Sequence, residues 1–329
     1  MTIRNARNYT MAMARESVWN TPPVGRYAAL RLSGETLHLV QQRRGQALLN
    51  DAGIVPPDRV VRSHVEGRIS TPADTGAIQQ WMTLITGNQW ASELSKRVLT
   101  VAAAETPPSF TLVRTLDGTP QHRAFFSGVK VQRLQLAPAA DQTFMLQASL
   151  VGASQDKTTL IRPATPAAPA MPMALGAEVD RFELRLDDAN PRPRPRPRNG
   201  HDTRRVLQPR LAGISLTLTR AGMAPHFRLG ATQPAVILPG RLVLAIEMQC
   251  LADDAGLGIP DAGATMAGAT MDVRVVLSDG AAQMRFRIYK MRVHRRDTLL
   301  ASPTAPAIIA VNGVAELTSE GLFRIEASG

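Results

Sequence analysis

The chain has 329 residues, 44% hydrophobic and 20% charged, which is apolar enough for a sizeable core and rules out a globally disordered polymer. Lys and Arg number 38 against 27 Asp and Glu, and the resulting +11 admits nucleic acid or an acidic surface as a partner. The one cysteine, Cys250, excludes an intramolecular disulfide framework and any Cys-rich metal site, and fits folding in a reducing cytoplasm.

In chain order, residues 1–25 are polar and irregular, end in Thr21-Pro22-Pro23-Val24-Gly25, and read as an arm. Arg4 and Arg7 are followed by no continuous apolar stretch, so no secretory leader is expected, and nowhere do 18 apolar residues run together as a membrane helix needs. Val60 to Ser70 is strand-like. Ile78, Met82 and Ile85, thickened by Trp81 and Leu84, have helical spacing, with Asp74 as N-cap and Gly87 as the stop. Residues 157–177 hold Pro163, Pro166, Pro169 and Pro172 among alanines, a semi-rigid linker composition. The run from Pro191 to Arg198 alternates proline with arginine, so it is extended and cannot join a sheet. Ile214–Thr219 and Val236–Glu247 read as strand in whole or part. Met271, Val273, Val275 and Leu277 share one strand face, Asp279-Gly280 marks a turn, and Met284, Phe286 and Ile288 line the returning strand. The apolar phase then slips to Met291 and Val293, which predicts a bulge near Tyr289-Lys290. The expected fold is mainly β with one clear helix.

An internal repeat organises these elements. Asp117-Gly118 and Asp279-Gly280 lie 162 residues apart, and the same offset superposes Gln121 on Gln283, Arg123 on Arg285, Val131 on Val293 and Arg133 on Arg295. Phe126, Val129 and Val131 fall on Ile288, Met291 and Val293, so the phase slip is itself repeated. Upstream, Asp74-Thr75-Gly76 resembles Asp254-Ala255-Gly256 at an offset of 180. This predicts a duplicated β domain: units at 26–156 and 178–329, an arm at 1–25, a linker at 157–177, and an extended Pro-Arg loop at 187–210 inside the second unit.

Catalytic patterns are missing. The six histidines are scattered singly; Gly152 to Thr159 lacks the second glycine of a phosphate-binding loop; no G-x-S-x-G occurs. Asp187-Asp188 and Asp253-Asp254 are adjacent pairs, whose side chains point to opposite faces of a strand and cannot share a substrate. No catalytic, cofactor-binding or metal-binding residue is assigned, and an enzyme is not expected. The stretch 190–210 carries seven arginines against Asp202. It reads as an arm docking on a neighbouring subunit, as a phosphate-binding arm for nucleic acid, or as a solvated loop; no aromatic residue is present for base stacking.

The strings Glu16-Ser17-Val18-Trp19-Asn20-Thr21-Pro22-Pro23 and Leu30-Arg31-Leu32-Ser33-Gly34-Glu35-Thr36-Leu37 resemble the opening of long-type tail tube proteins of tailed bacteriophages. Val65-Glu66-Gly67-Arg68-Ile69-Ser70-Thr71-Pro72 with the following helix, and Phe125-Phe126-Ser127-Gly128-Val129-Lys130-Val131, are similar to later segments of the same family. The resemblance implies two tandem β-sandwich or half-barrel tail-tube domains, each with a flanking helix or helical turn, plus extended arms. It implies a virion tail component assembled in the host cytoplasm. Three chains would form a pseudo-hexameric ring, and rings would stack into a tube conducting DNA and the tape-measure protein, with tail terminator and distal tail proteins as further partners and no cofactor. Arg192, Arg194, Arg196, Arg198, Arg204, Arg205 and Trp19 are the candidate subunit or inter-ring contacts. A DNA conduit is expected to have an electronegative wall, against which this chain is strongly basic. The alternatives are a basic nucleic-acid-binding protein using the Pro-Arg arm, and another tube-fold component such as a terminator or distal tail ring.

Overall fold

The computed structural model describes residues 9–45, 58–102, 105–116, 122–139, 143–157, 164–165, 183–186, 206–207, 211–252, 270–278, 282–299 and 307–328. The first half contains β1 (Tyr9–Arg15), β2 (Tyr27–Leu30), β3 (Gly34–Glu35), β4 (His38–Arg44), β5 (Arg59–Pro72), α1 (Thr75–Thr86), β6 (Ala91–Glu93), β7 (Lys96–Val101), β8 (Phe110–Leu116), β9 (His122–Pro138), β10 (Phe144–Gly152) and β11 (Ser154–Lys157). The short strands β12 (Ala164–Thr165), β13 (Glu183–Leu186) and β14 (Val206–Leu207) follow. The second half contains β15 (Leu211–Ala221), β16 (Ala224–His226), β17 (Val236–Leu238), β18 (Arg241–Leu251), β19 (Thr270–Ser278), β20 (Gln283–Leu299), β21 (Ile308–Ala315) and β22 (Phe323–Ser328). The protein is mainly β, and α1 is the one helix among the described residues.

Two strand orders repeat. In the first half β4–β5–β10–β9 lie side by side, all antiparallel. In the second half β15–β18–β21–β20 do the same. The counterparts align in sequence once the pairing is known: Gly34, Leu37 and Leu39 fall 179 residues before Gly213, Leu216 and Leu218. The 162-residue offset relates β9 to β20. On the β5–β18 alignment Asp74 falls on Asp253, one residue short of the sequence expectation, and the second half's counterpart of the helical segment lies outside the described residues.

Long strands β9 and β20 each serve two sheets. Their first parts pair with hairpin partners β8 and β19, and their later parts with β10 and β21. The switch occurs at a bulge. Ser127 and Gly128 stand opposite Thr111, and Tyr289 and Lys290 stand opposite Asp272, so the predicted bulge is present and occupies equivalent places. Gly128 takes φ 63°, and a Cβ there would come within 2.7 Å of the Ala153 Cβ. The turns 117–121 and 279–281 lie outside the described residues.

The second layer of the first half runs β2–β1–β8–β9–β11. In the second half it runs β14–β13–β19–β20–β22 and is extended by β7 and β6 from the first half. Residues 9–15, expected within an arm, are therefore a full strand: Tyr9, Met11 and Met13 alternate, and Met11 is 1% exposed between the layers. Glu16 is buried behind this strand, accepting hydrogen bonds from Thr111 Oγ1 (2.7 Å), the Gly128 amide (2.8 Å) and the Asn20 amide (2.9 Å). In the linker stretch, Ala164 and Thr165 pair with β2 and the remainder beyond Lys157 lies outside the described residues.

Helix α1 starts and stops where its end residues dictate. Asp74 accepts from the Ala77 amide at 2.8 Å, and Gly87 adopts φ 82° while its amide bonds the Thr83 carbonyl. Ile78, Trp81, Met82 and Ile85 are buried against both layers, with Trp81 edge-on to Phe110. Each such fully buried side chain contributes on the order of 2 kcal/mol.

Candidate assembly interface

Strand edges are the functional geometry of this molecule. An unpaired edge is a row of donors and acceptors that another strand can complete. One such completion occurs inside the chain: β9 and β15 pair from Leu136↔Leu216 to Arg133↔Thr219, joining the two four-stranded sets into one run of eight strands. Across it, Thr71, Leu146, Leu136, Leu216, Ile246 and Gly313 form one row, all buried. The adjacent row of Ser70, Gln147, Gln135, Thr217, Ala245 and Val314 points to the other face, and none of it is buried. One face of the run is thus core and the other polar and open. Glu66 and Glu247 stand on that open face with Arg62, Arg68, Arg133, Arg241 and Arg292.

Residues 222–240, between β15 and β18, fold over one end of the open face and seal the junction. Met223 and Ile237 pack on Val151, with Trp19 against the same cluster. Lys130 Nζ donates to the Ile237 carbonyl (3.3 Å), Gln132 Nε2 to the Met223 carbonyl (3.2 Å), and the Ser63 amide to the Thr232 carbonyl (2.7 Å). Phe227 lies under the Arg62 guanidinium at 5.1 Å and edge-on to His64. Burial, then the nearby Arg220, holds the Lys130 ammonium below its ordinary pKa, with Glu16 opposing them.

Arg220 closes the junction from below. It is 2% exposed, and its guanidinium donates to the carbonyls of Ile85 (2.7 Å), Thr86 (2.7 Å) and Glu105 (2.8 Å). A cation from β15 thereby caps the carbonyl end of α1, where the helix dipole is negative. A second seam, β22 on β7, is flanked by Lys96–Glu326 (3.2 Å) and Arg324–Glu93 (2.7 Å).

The eight-strand run ends in β4 on one side, whose partner strand is β5. On the other side it ends in β20, where β21 runs along 291–299 and β19 reaches the opposite edge only as far as Arg292.

The candidate contacts read from sequence are only partly placed. Arg192, Arg194, Arg196, Arg198, Arg204 and Arg205 lie outside the described residues; β13 and β14, which flank them in sequence, pair antiparallel in the second layer. Trp19 sits in an intrachain contact, and its indole Nε1 is buried without a hydrogen-bond partner among the described residues. Sequence reading missed Arg220 and Lys130. Arg220 carried a signal, because it follows Ile214, Leu216 and Leu218 in the inward phase of one strand. Among the described residues no cluster of His, Cys, Asp and Glu could hold a metal, and no helix is long and apolar enough to cross a membrane.

A duplicated β-structure whose organising features are strand edges, and whose halves already join edge to edge, defines a structural protein of the self-associating kind. The chain belongs to the phage tail tube protein family, whose model matches residues 7–318. No curated protein matches it at a significant level.

Proposed function

We propose that the protein is the tail tube subunit of a phage virion with two tandem tube domains, three copies closing into a pseudo-hexameric ring and rings stacking into a tube. The observation that carries this reading is the β9–β15 junction, in which two repeated four-strand sets join with one face buried and the other polar. Continued around a ring, that junction makes a closed barrel without edges, its polar face turned to the channel through which DNA and the tape-measure protein pass. Arg285 and Arg287 belong to the outer layer in this arrangement, because 283–288 pair with β22. The Pro-Arg stretch, flanked in sequence by β13 and β14 of the outer layer, docks on a neighbouring subunit or ring; terminator and distal tail proteins meet the end rings.

Negative-stain electron microscopy of the purified protein over a range of concentration and salt tests the reading. Hollow tubes or stacked rings are expected. Uniform single rings at every condition would favour a terminator-like or distal tail component, and monomers with salt-steep DNA binding would replace the reading with a nucleic-acid-binding one.

A further inference from the structure

One end of the open face gathers cations that no described group offsets. The pairs His38↔Glu66, Val40↔His64, Gln42↔Arg62 and Arg44↔Arg59 share that face, because alternate positions of β4 point the same way. Keeping this pairing takes an extra residue in β5: Gln42 stands opposite Arg62 and Arg43 opposite Val60, which leaves Val61 as a bulge. The bulge brings Arg59 onto the face of Arg62 although three positions separate them. Arg44 and Arg59 thus stand directly opposite each other, a like-charge pairing that costs stability. The next acid along this face of β5, Glu66, is engaged by His64, whose Nε2 lies 2.6 Å from Oε1. A fourth arginine closes the group. The turn Arg228–Ala231 is held by the Ala231 amide on the Arg228 carbonyl (3.1 Å), with Gly230 at φ 79°. It is pinned to β5 where the Thr232 carbonyl accepts from the Ser63 amide (2.7 Å) and hydroxyl (3.3 Å). Phe227 holds the Arg62 guanidinium over its ring. Between strands and turn lies a cavity of about 830 Å³, lined by Arg44, Arg59, Arg62 and Arg228 over Val60 and Val61, with no acidic residue among the described lining. None of the four guanidinium groups has a hydrogen-bond or carboxylate partner among the described residues.

We propose that this cavity is a binding site for phosphate oligoanions, the chemistry shared by a nucleic-acid backbone and a free oligophosphate. Four guanidinium forks call for several closely spaced negative charges, and successive phosphates supply them with oxygens in the geometry that the fork matches. An acidic peptide fits less well, since its carboxylates are single charges that alternate in direction along an extended chain. The pinned turn and the stacked Arg62 hold two of the four cations in place before any ligand arrives, which lowers the ordering cost of binding. The site goes beyond the tube reading and does not depend on how copies assemble.

Titration calorimetry of the dilute full-length protein with tripolyphosphate tests the site on two charge-matched variants. R59Q/R228Q removes two cations from the cavity, while R68Q/R133Q removes two from the middle of the same face; all four residues are exposed. Both variants should therefore keep the wild-type circular dichroism and at least the wild-type melting temperature without ligand. Tripolyphosphate should bind R68Q/R133Q within about twofold of the wild type, and R59Q/R228Q about tenfold or more weakly. It should also raise the melting temperature of the wild type and not that of R59Q/R228Q. An oligothymidylate that competes with tripolyphosphate identifies the ligand as nucleic-acid backbone; tripolyphosphate binding that the oligonucleotide leaves unchanged identifies a free oligophosphate. Equal weakening in both variants would reduce the effect to general charge attraction and overturn the site. No binding at millimolar tripolyphosphate would overturn it too. Hexaglutamate bound as tightly as tripolyphosphate, and lost in R59Q/R228Q, would replace the phosphate assignment with an acidic peptide.

Discussion

Arg220 satisfies three backbone carbonyls that no other described group reaches, and it ties the second half to the end of α1. Arg220→Met would leave those acceptors unpaired while also removing a buried charge, for a net loss of about 1–3 kcal/mol in chemical denaturation. Lys is not an adequate substitute, because one ammonium cannot span the fork. Lys130 presents the opposite case. Its folded pKa is depressed, chiefly by burial, so in the alkaline range the folded state binds fewer protons there than the unfolded state. Stability of the wild type relative to Lys130→Met should therefore rise as pH climbs toward the ordinary value of 10.5. Urea unfolding at neutral and alkaline pH checks the sign, and a difference that shrinks with pH would contradict it. Neither role is visible from residue type alone. Arg220 was legible only as a cation in an apolar strand phase, and Lys130 reads as solvated until its long-range neighbours are known.

Elements were legible in proportion to how local their causes are. The helix, its Asp74 cap and its Gly87 stop depend on residues within a few positions of one another. The bulge at Tyr289-Lys290 was readable because a slip in apolar phase is also local. The strand β1 was misread as arm despite its Tyr9, Met11, Met13 alternation, since Pro22, Pro23 and Gly25 dominate the neighbouring composition. Gly67, inside the Val65-Glu66-Gly67-Arg68-Ile69 string, has φ 154°, and a Cβ there would lie 2.6 Å from the Leu37 Cα and 2.7 Å from the Thr36 carbonyl oxygen. Thr36 and Leu37, which run beside β5 between β3 and β4, press on it at this point, so the glycine is a space requirement. Gly67→Ala should cost about 2 kcal/mol or more, read as a lowered midpoint in denaturant, whereas an unchanged midpoint would show that the close approach can shift.

For the molecule as a whole, the repeat was legible but its use was not. Sequence spacing related β9 to β20, yet the pairing of β9 with β15 is a contact between halves that no local pattern encodes. That contact turns two similar units into one continuous sheet and defines the edges left over. The Pro-Arg stretch acts at this scale too. Replacing Arg192, Arg194, Arg196 and Arg198 by Ser should impair polymerisation without unfolding the chain, because alternating proline, which lacks the amide donor, is not expected to contribute to a sheet. Unchanged tube length in that variant would refute a docking role. If the internal junction is the template for ring closure, cryo-electron microscopy of assembled protein should show three-fold rings in which β20 of one copy lies against β4 of the next around a polar channel. Rings closed by the second layer, or an assembly in which β4 and β20 both face solvent, would contradict it.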